Sequence, residues 1–198
     1  MSTWSDSYSS VPPWDVGHPQ KAFVELVDRG ELRPSRVLDV GSGPGENTIF
    51  LSKNGFSAVG IDFTPEAVGI ARDRTIRRNV EVEFVLGDVL NLHRYFMANE
   101  FDHIIDSGLF HSIHQQNLNE FVKQIKRVLK PGGVYYMLCF SDKEPPGRGP
   151  RRVSKEEIRK TLEPDFTVDY IRETIFESRI HEGGARAYLT RATNDHVS

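Results

Sequence analysis

Residues 36–48 read RVLDVGSGPGENT: a short apolar run, three glycines at alternate positions (Gly41, Gly43, Gly45), then polar residues that open a helix. The same strand-then-helix grammar recurs along the chain. VLDV (37–40), SAVGID (57–62), VEVEFVLGD (80–88), FDHIID (101–106) and VYYMLCF (134–140) read as strands. KAFVELVDRG (21–30), ENTIFLSKNG (46–55), a stretch capped by Thr64 with Pro65 first, and LNEFVKQIKRVLK (118–130) read as helices. Ser154 and Glu157 form a capping box for one more short helix, and FTVDYIRETIFES and ARAYLTRA, separated by HEGG, read as an antiparallel hairpin. Alternation of this kind gives a doubly wound, Rossmann-like α/β fold. The expected sheet has seven strands and is mostly parallel, with an antiparallel strand from the C-terminal hairpin. Ligands bind such sheets at the carboxyl ends of the strands.

The composition sets bounds. At 198 residues the chain reads as one domain, 1–198, with an aromatic, Pro/Ser-rich segment 1–19 before a core of 20–198. The net charge of −3 and scattered basic residues argue against a large nucleic-acid footprint. No apolar run is long enough to span a bilayer, and the first residues lack the basic start and apolar core of a secretory signal. A lone cysteine, Cys139, sits in an apolar strand and reads as a buried small hydrophobe. These features point to a cytoplasmic protein, monomer or homodimer, with no nucleic-acid or membrane partner.

The glycine turn raises the question of what it bends around. A dinucleotide fingerprint requires G-x-G-x-x-G, and its third glycine position is Glu46 here. A carboxylate there would face a pyrophosphate at the helix N-terminus, an electrostatic misfit. S-Adenosylmethionine carries no phosphate. It needs close backbone approach and an acid near its ammonium group, and Asp39 stands just before the glycines. Asp62 ends the second strand 19 residues past Gly43, placed to accept both ribose hydroxyls, with Phe63 beside it. Asp88 ends the third strand, where an acid meets an adenine amino group and Val89 offers its N–H. LKPGG before the fifth strand is a further mark.

Together VLDVGSGPG, GIDF, GDV and LKPGG resemble the class I S-adenosylmethionine-dependent methyltransferases over residues 36 to 140. VPPWDVGHPQ is similar to the PWDxGxP stretch of the thiol and halide methyltransferases, relatives of the thiopurine methyltransferases, and FDHIIDSGLFHSI looks like their strand-four signature. The resemblance implies S-adenosyl-L-methionine as cofactor and a small-molecule methyl acceptor, with the N-terminal segment as a lid carrying Trp14. It departs from the family at His18, where an arginine is usual, and at GRGPRR, where a tyrosine is replaced by arginines. Those departures remove the support for a halide substrate.

The expected cofactor residues are therefore Trp14, Asp39, Gly41, Gly43, Gly45, Asp62, Phe63, Asp88, Val89, Asp106 and Ser107. The expected acceptor residues are Tyr8, Phe110, His111 and Arg148, and no metal is expected. His111, five residues past Asp106, is the candidate general base. Its bland alternative is a wall or capping histidine. The functional expectation is methyl transfer to a sulfur, oxygen or nitrogen of a small, partly apolar thiol, phenol or heterocycle. The alternatives are a methyltransferase acting on RNA or protein, and a non-catalytic cofactor-binding partner protein.

Overall fold

A computed structural model describes residues 5–147 and 149–195. Trp4 and Arg148 fall outside the described residues. The chain forms a single seven-stranded sheet flanked by helices. In chain order these are α1 (Lys21–Asp28), β1 (Arg36–Val40), α2 (Glu46–Lys53), β2 (Ser57–Asp62), α3 (Pro65–Arg78), β3 (Glu83–Leu86) and β4 (Phe101–Ser107). They are followed by α4 (Leu118–Val128), β5 (Leu129–Phe140), α5 (Lys155–Leu162), β6 (Thr167–Phe176) and β7 (Ala185–Thr193). The strand order is β3-β2-β1-β4-β5-β7-β6. β1 to β5 are mutually parallel, and β7 enters antiparallel between β5 and β6.

The inner strands β1, β2 and β5 are buried on both faces, while the edge strands β3 and β6 are partly exposed, and alternate residues feed opposite halves of the core. Leu38, Val40 and Ile104 pack with the apolar stripe of α4 (Phe121, Val122, Ile125, Val128). Val37 and Ile105 pack with Phe23 and Leu26 of α1 on the other face. α5 begins as expected: the Ser154 hydroxyl accepts the Glu157 backbone N–H at 3.1 Å. The Glu157 carboxylate, however, turns to Arg151, so only one half of the capping box forms.

Two boundaries differ from the sequence reading. β3 is shorter because the Val80 N–H is spent closing α3 on Thr75 O, and Asp88 is spent capping the turn that follows. β5 starts earlier, with Leu129 paired to Phe101; pairing then breaks over Lys130–Gly133 and resumes at Val134 opposite His103. Pro131 has no N–H for a ladder, and the Gly132 N–H goes to Asn194 O instead.

The glycine turn shows why two of its three glycines differ in purpose. Gly45 has φ +82, and a Cβ there would lie 2.5 Å from the Phe84 ring, so its bareness admits a core phenyl group. Gly43 has φ +51, but a Cβ would meet nothing closer than the Tyr8 hydroxyl at 3.7 Å, across the open site. Gly45→Ala should therefore destabilise the fold by about 2–5 kcal/mol, overpacking added to the left-handed backbone cost. Gly43→Ala should lose only the latter, about 1–2 kcal/mol. Urea midpoints at constant m-value compare the two, and equal losses would contradict this division of labour.

Candidate active site

A cavity of about 570 Å³ opens at the carboxyl ends of β1, β2 and β4. The N-terminal segment closes one side, and the loop between β6 and β7 closes another. Three carboxylates line it, Asp15, Glu46 and Asp62, while no lysine or arginine does so among the described residues. Arg74, behind the wall, holds Asp15 at 2.7 Å and Glu46 at 3.0 Å, and Arg78 holds Glu46 at 2.7 Å. Asp15 Oδ1 is buried with no partner. Such a lining suits a ligand carrying positive charge and repels phosphate.

The turn after β1 is fastened to the end of β2. The Gly43 N–H donates to Asp62 Oδ2 at 2.9 Å, and the Thr64 N–H donates to Asp62 Oδ1 at 2.8 Å. Each Asp62 oxygen thus keeps a lone pair for one hydroxyl of a vicinal diol. Burial raises the Asp62 pKa, and the backbone N–H groups of Thr64 and Gly43 work against that. Phe63, half exposed, and Val89 with Leu90 give apolar surfaces for a flat base. Trp14 and Tyr8 meet edge to face over the glycine turn, the indole N–H donating to the Tyr8 oxygen at 3.3 Å. Burial lifts the Tyr8 phenol to about 12, so it stays neutral. A buried carboxylate with lone pairs to spare, bare glycine backbone, apolar walls and a negative lining together fit S-adenosylmethionine.

Of the residues expected from sequence, Tyr8, Trp14, Gly41, Gly43, Asp62, Phe63, Val89, Ser107 and His111 line this cavity. The rest do not. Asp39 is buried behind the turn, its Oδ2 accepting the Thr48 hydroxyl at 2.6 Å. Gly45 faces Phe84. Asp88 caps the turn after β3, accepting the Leu90 N–H and the Asn91 side-chain amide, both at 2.9 Å. Asp106 anchors the loop after β4: it accepts the Leu109 N–H at 2.7 Å, the Phe110 N–H at 3.0 Å and the Tyr135 hydroxyl at 2.8 Å. Burial carries both Asp39 and Asp106 up to about 7. Phe110 is fully buried in the core, with the Arg151 guanidinium 5.7 Å from its ring centre, and so cannot touch an acceptor.

His111 reaches the cavity but is not built as a base. The Phe140 backbone N–H donates to its Nδ1 at 3.0 Å, which leaves the proton on Nε2. Burial, aided by Arg151 and Arg152, drops its pKa to about 3. The ring is a neutral N–H donor, packed edge-on against Phe140 with centres 5.2 Å apart.

The structure adds residues that the sequence reading passed over. Asp15 lies within the quoted PWDxG stretch beside Trp14, so a signal was present. Gln20 ties the end of the N-terminal segment to the core: its N–H donates to Asn47 Oδ1, and its side-chain amide exchanges two hydrogen bonds with the Glu177 backbone. Arg179 donates to Pro13 O at 2.8 Å and to Asp15 O at 2.6 Å. Phe176, Ile180 and His181 arrive from the far end of the chain, and nothing in HEGG announced them.

Comparisons with known proteins identify the family. The methyltransferase domain family matches residues 37–133. The chain is 33% identical to a 2-heptyl-1-hydroxyquinolin-4(1H)-one methyltransferase of Mycobacteroides abscessus, over 84% of this chain and 73% of that protein. It is 28% identical to a probable thiol methyltransferase 2 of Arabidopsis thaliana, over 81% and 71%. A solved structure concerned with the conversion of a disulfide bond into a thioacetal group during echinomycin biosynthesis superposes with a TM-score of 0.83. That likeness comes at 30% identity and covers 94% of this chain and 87% of that one.

The state of His111 is directly measurable. A histidine with a depressed folded pKa supports the native state fully above its unfolded value, about 6.5. That support is lost as pH falls toward 3. Heteronuclear NMR should find His111 as the neutral Nε2–H tautomer, without titration between about pH 5 and 8. A titration inside that window would refute the buried, Phe140-bonded ring.

Proposed function

The chain belongs to the methyltransferase domain family, and its structural neighbours include S-adenosylmethionine-dependent methyltransferases, one of them solved with S-adenosylmethionine bound; on that premise we propose that it methylates a sulfur, oxygen or ring nitrogen of a small, partly apolar acceptor. The observation that carries this reading is the far end of the cavity. There Phe140 and Phe176 pack against the neutral His111, and Leu109, Ile113 and Ile180 add apolar lining to the cavity. An uncharged, aromatic-walled space suits a flat ring better than a phosphorylated or peptide substrate.

When bound, S-adenosylmethionine supplies an electrophilic methyl group on a sulfonium whose departure as a neutral thioether needs no acid. The chain's task is then alignment and the exclusion of water, an orientation effect worth up to ~7–11 kcal/mol in favourable cases. In this reading Asp62 would accept the two ribose hydroxyls, Phe63 and Val89 would offer apolar surface to the adenine, and the Gly41–Gly43 backbone would hold the methionine portion. Trp14 and Tyr8 cover that portion, held down by Asp15–Arg74 and by Arg179. His111 offers its Nε2–H to the acceptor heteroatom and stabilises it as an anion. The relative named for a hydroxyquinolinone, a flat heteroaromatic with a ring hydroxyl, and the relative named for thiols both fall within this acceptor class.

A panel of thiols, phenols, hydroxyquinolines and heterocyclic amines, assayed for S-adenosylhomocysteine release, tests the proposal. Turnover with flat, weakly acidic members is expected, and failure with all of them would overturn it. Asp62→Ala should weaken S-adenosylmethionine binding by about 1.5–3 kcal/mol, the range for hydrogen bonds to a charged group. Calorimetry showing unchanged affinity in a folded variant would remove Asp62 from the cofactor site.

A further inference from the structure

With His111 unable to take a proton, a hydroxyl acceptor would lose its proton elsewhere, and the loop between β6 and β7 holds a second histidine on the same wall. His181 packs edge-on against Phe140, centres 5.4 Å apart, on the ring that also carries His111. Its Nδ1 lies 2.8 Å from the Ser178 hydroxyl, and both residues line the cavity. Its Nε2 faces the Glu144 carboxylate at 3.8 Å, too far for a direct hydrogen bond but within ion-pair range. A carboxylate only accepts, so its field favours the tautomer with the proton on Nε2. Nδ1 is then the acceptor, and the Ser178 hydroxyl donates to it. That orientation leaves the Ser178 lone pairs available to the cavity.

We propose that Ser178, His181 and Glu144 form a proton relay that deprotonates hydroxyl acceptors during methyl transfer. Ser178 is the catalytic residue that touches the acceptor; His181 and Glu144 act through it. The acceptor O–H bond breaks toward Ser178 Oγ while the Ser178 proton passes to His181 Nδ1. The acceptor oxygen forms its bond to the methyl carbon, and the electron pair of the broken carbon–sulfur bond stays on sulfur. The positive charge that leaves the sulfonium ends as imidazolium on His181, beside Glu144. No oxidant or further reactant is needed.

Other charges bear on the imidazolium. Glu144 Oε2 is held by the Arg186 backbone N–H at 2.7 Å, which fixes the carboxylate. Arg152 approaches from the loop after β5: its Nη1 and His181 Cε1 each lie 3.6 Å from the point a Gly149 Cβ would occupy. Along its own loop, Glu182 is the next residue and Arg179 lies two before it, the latter's side chain turned to Asp15 O. Glu144 and Arg152 thus bring charges of opposite sign to the same ring.

The inference rests on the small-acceptor reading above, and a graded series of phenols separates the two. kcat/KM is measured across pH for phenol, 4-chlorophenol, 4-nitrophenol and thiophenol, using H181Q, S178A and E144Q. H181Q and S178A should lose about 10²–10⁴-fold with phenol, the usual contribution of a positioned base, and only a few-fold with 4-nitrophenol or thiophenol, which ionise in solution. E144Q, lacking the charge that favours the protonated ring, should move the acidic limb of the wild-type phenol profile to lower pH. Cofactor affinity by calorimetry should match the wild type in all three variants. Equal losses across the series, or none with phenol, would overturn the relay while leaving the methyltransferase reading intact. Absence of wild-type turnover with every member would overturn both.

Discussion

Everything in the site depends on β1 lying between β2 and β4. The chain winds outward from β1 toward β3 on one side and crosses back to β4 on the other. The loops after β1 and β4 therefore diverge, and a crevice opens between them at the carboxyl ends of the strands. The Gly43 N–H bonded to Asp62 secures one lip of that crevice, and the Asp106 carboxylate, gathering two backbone N–H groups and the Tyr135 hydroxyl, secures the other. The first of these contacts leaves Asp62 facing the cavity, and the second lies wholly behind it.

Three aspartates at the ends of adjacent strands illustrate how position decides role. Asp39, Asp62 and Asp106 are all buried, and burial raises the pKa of each. Only Asp62 also borders the cavity, so only it keeps acceptor capacity where a ligand can use it. Asp106 spends its lone pairs on the loop that carries Leu109 and His111. Asp39 supports α2 through Thr48. The same division applies to the histidines: His111 is locked by a backbone N–H on Nδ1, whereas His181 keeps Nδ1 turned to a hydroxyl on the cavity wall.

The cover over the site is assembled from both ends of the chain. Asp15 reaches Arg74 of α3, Gln20 clasps Glu177 after β6, and Arg179 binds the backbone of residues 13 and 15. The antiparallel insertion of β7 places the loop that follows β6 at the same rim as the glycine turn. The N-terminal segment and that loop thus brace one another.

Local patterns were enough to determine the α/β class, the run of strands and helices, the glycine turn and Asp62, because each is encoded by residues within one strand–turn–helix unit. The PWDxG stretch likewise marked Trp14. What required tertiary structure was which side of each residue faces the ligand. Gly45 and Gly43 look alike in sequence, yet one yields space to Phe84 and the other to the cavity. Asp106 and Phe110 sit among true lining residues but point into the core, since a tight loop sends neighbouring side chains in opposite directions. Phe176, Ser178 and His181 reach the site only through the pairing of β7 with β5. That contact joins residues far apart in the chain, and no local periodicity can encode it.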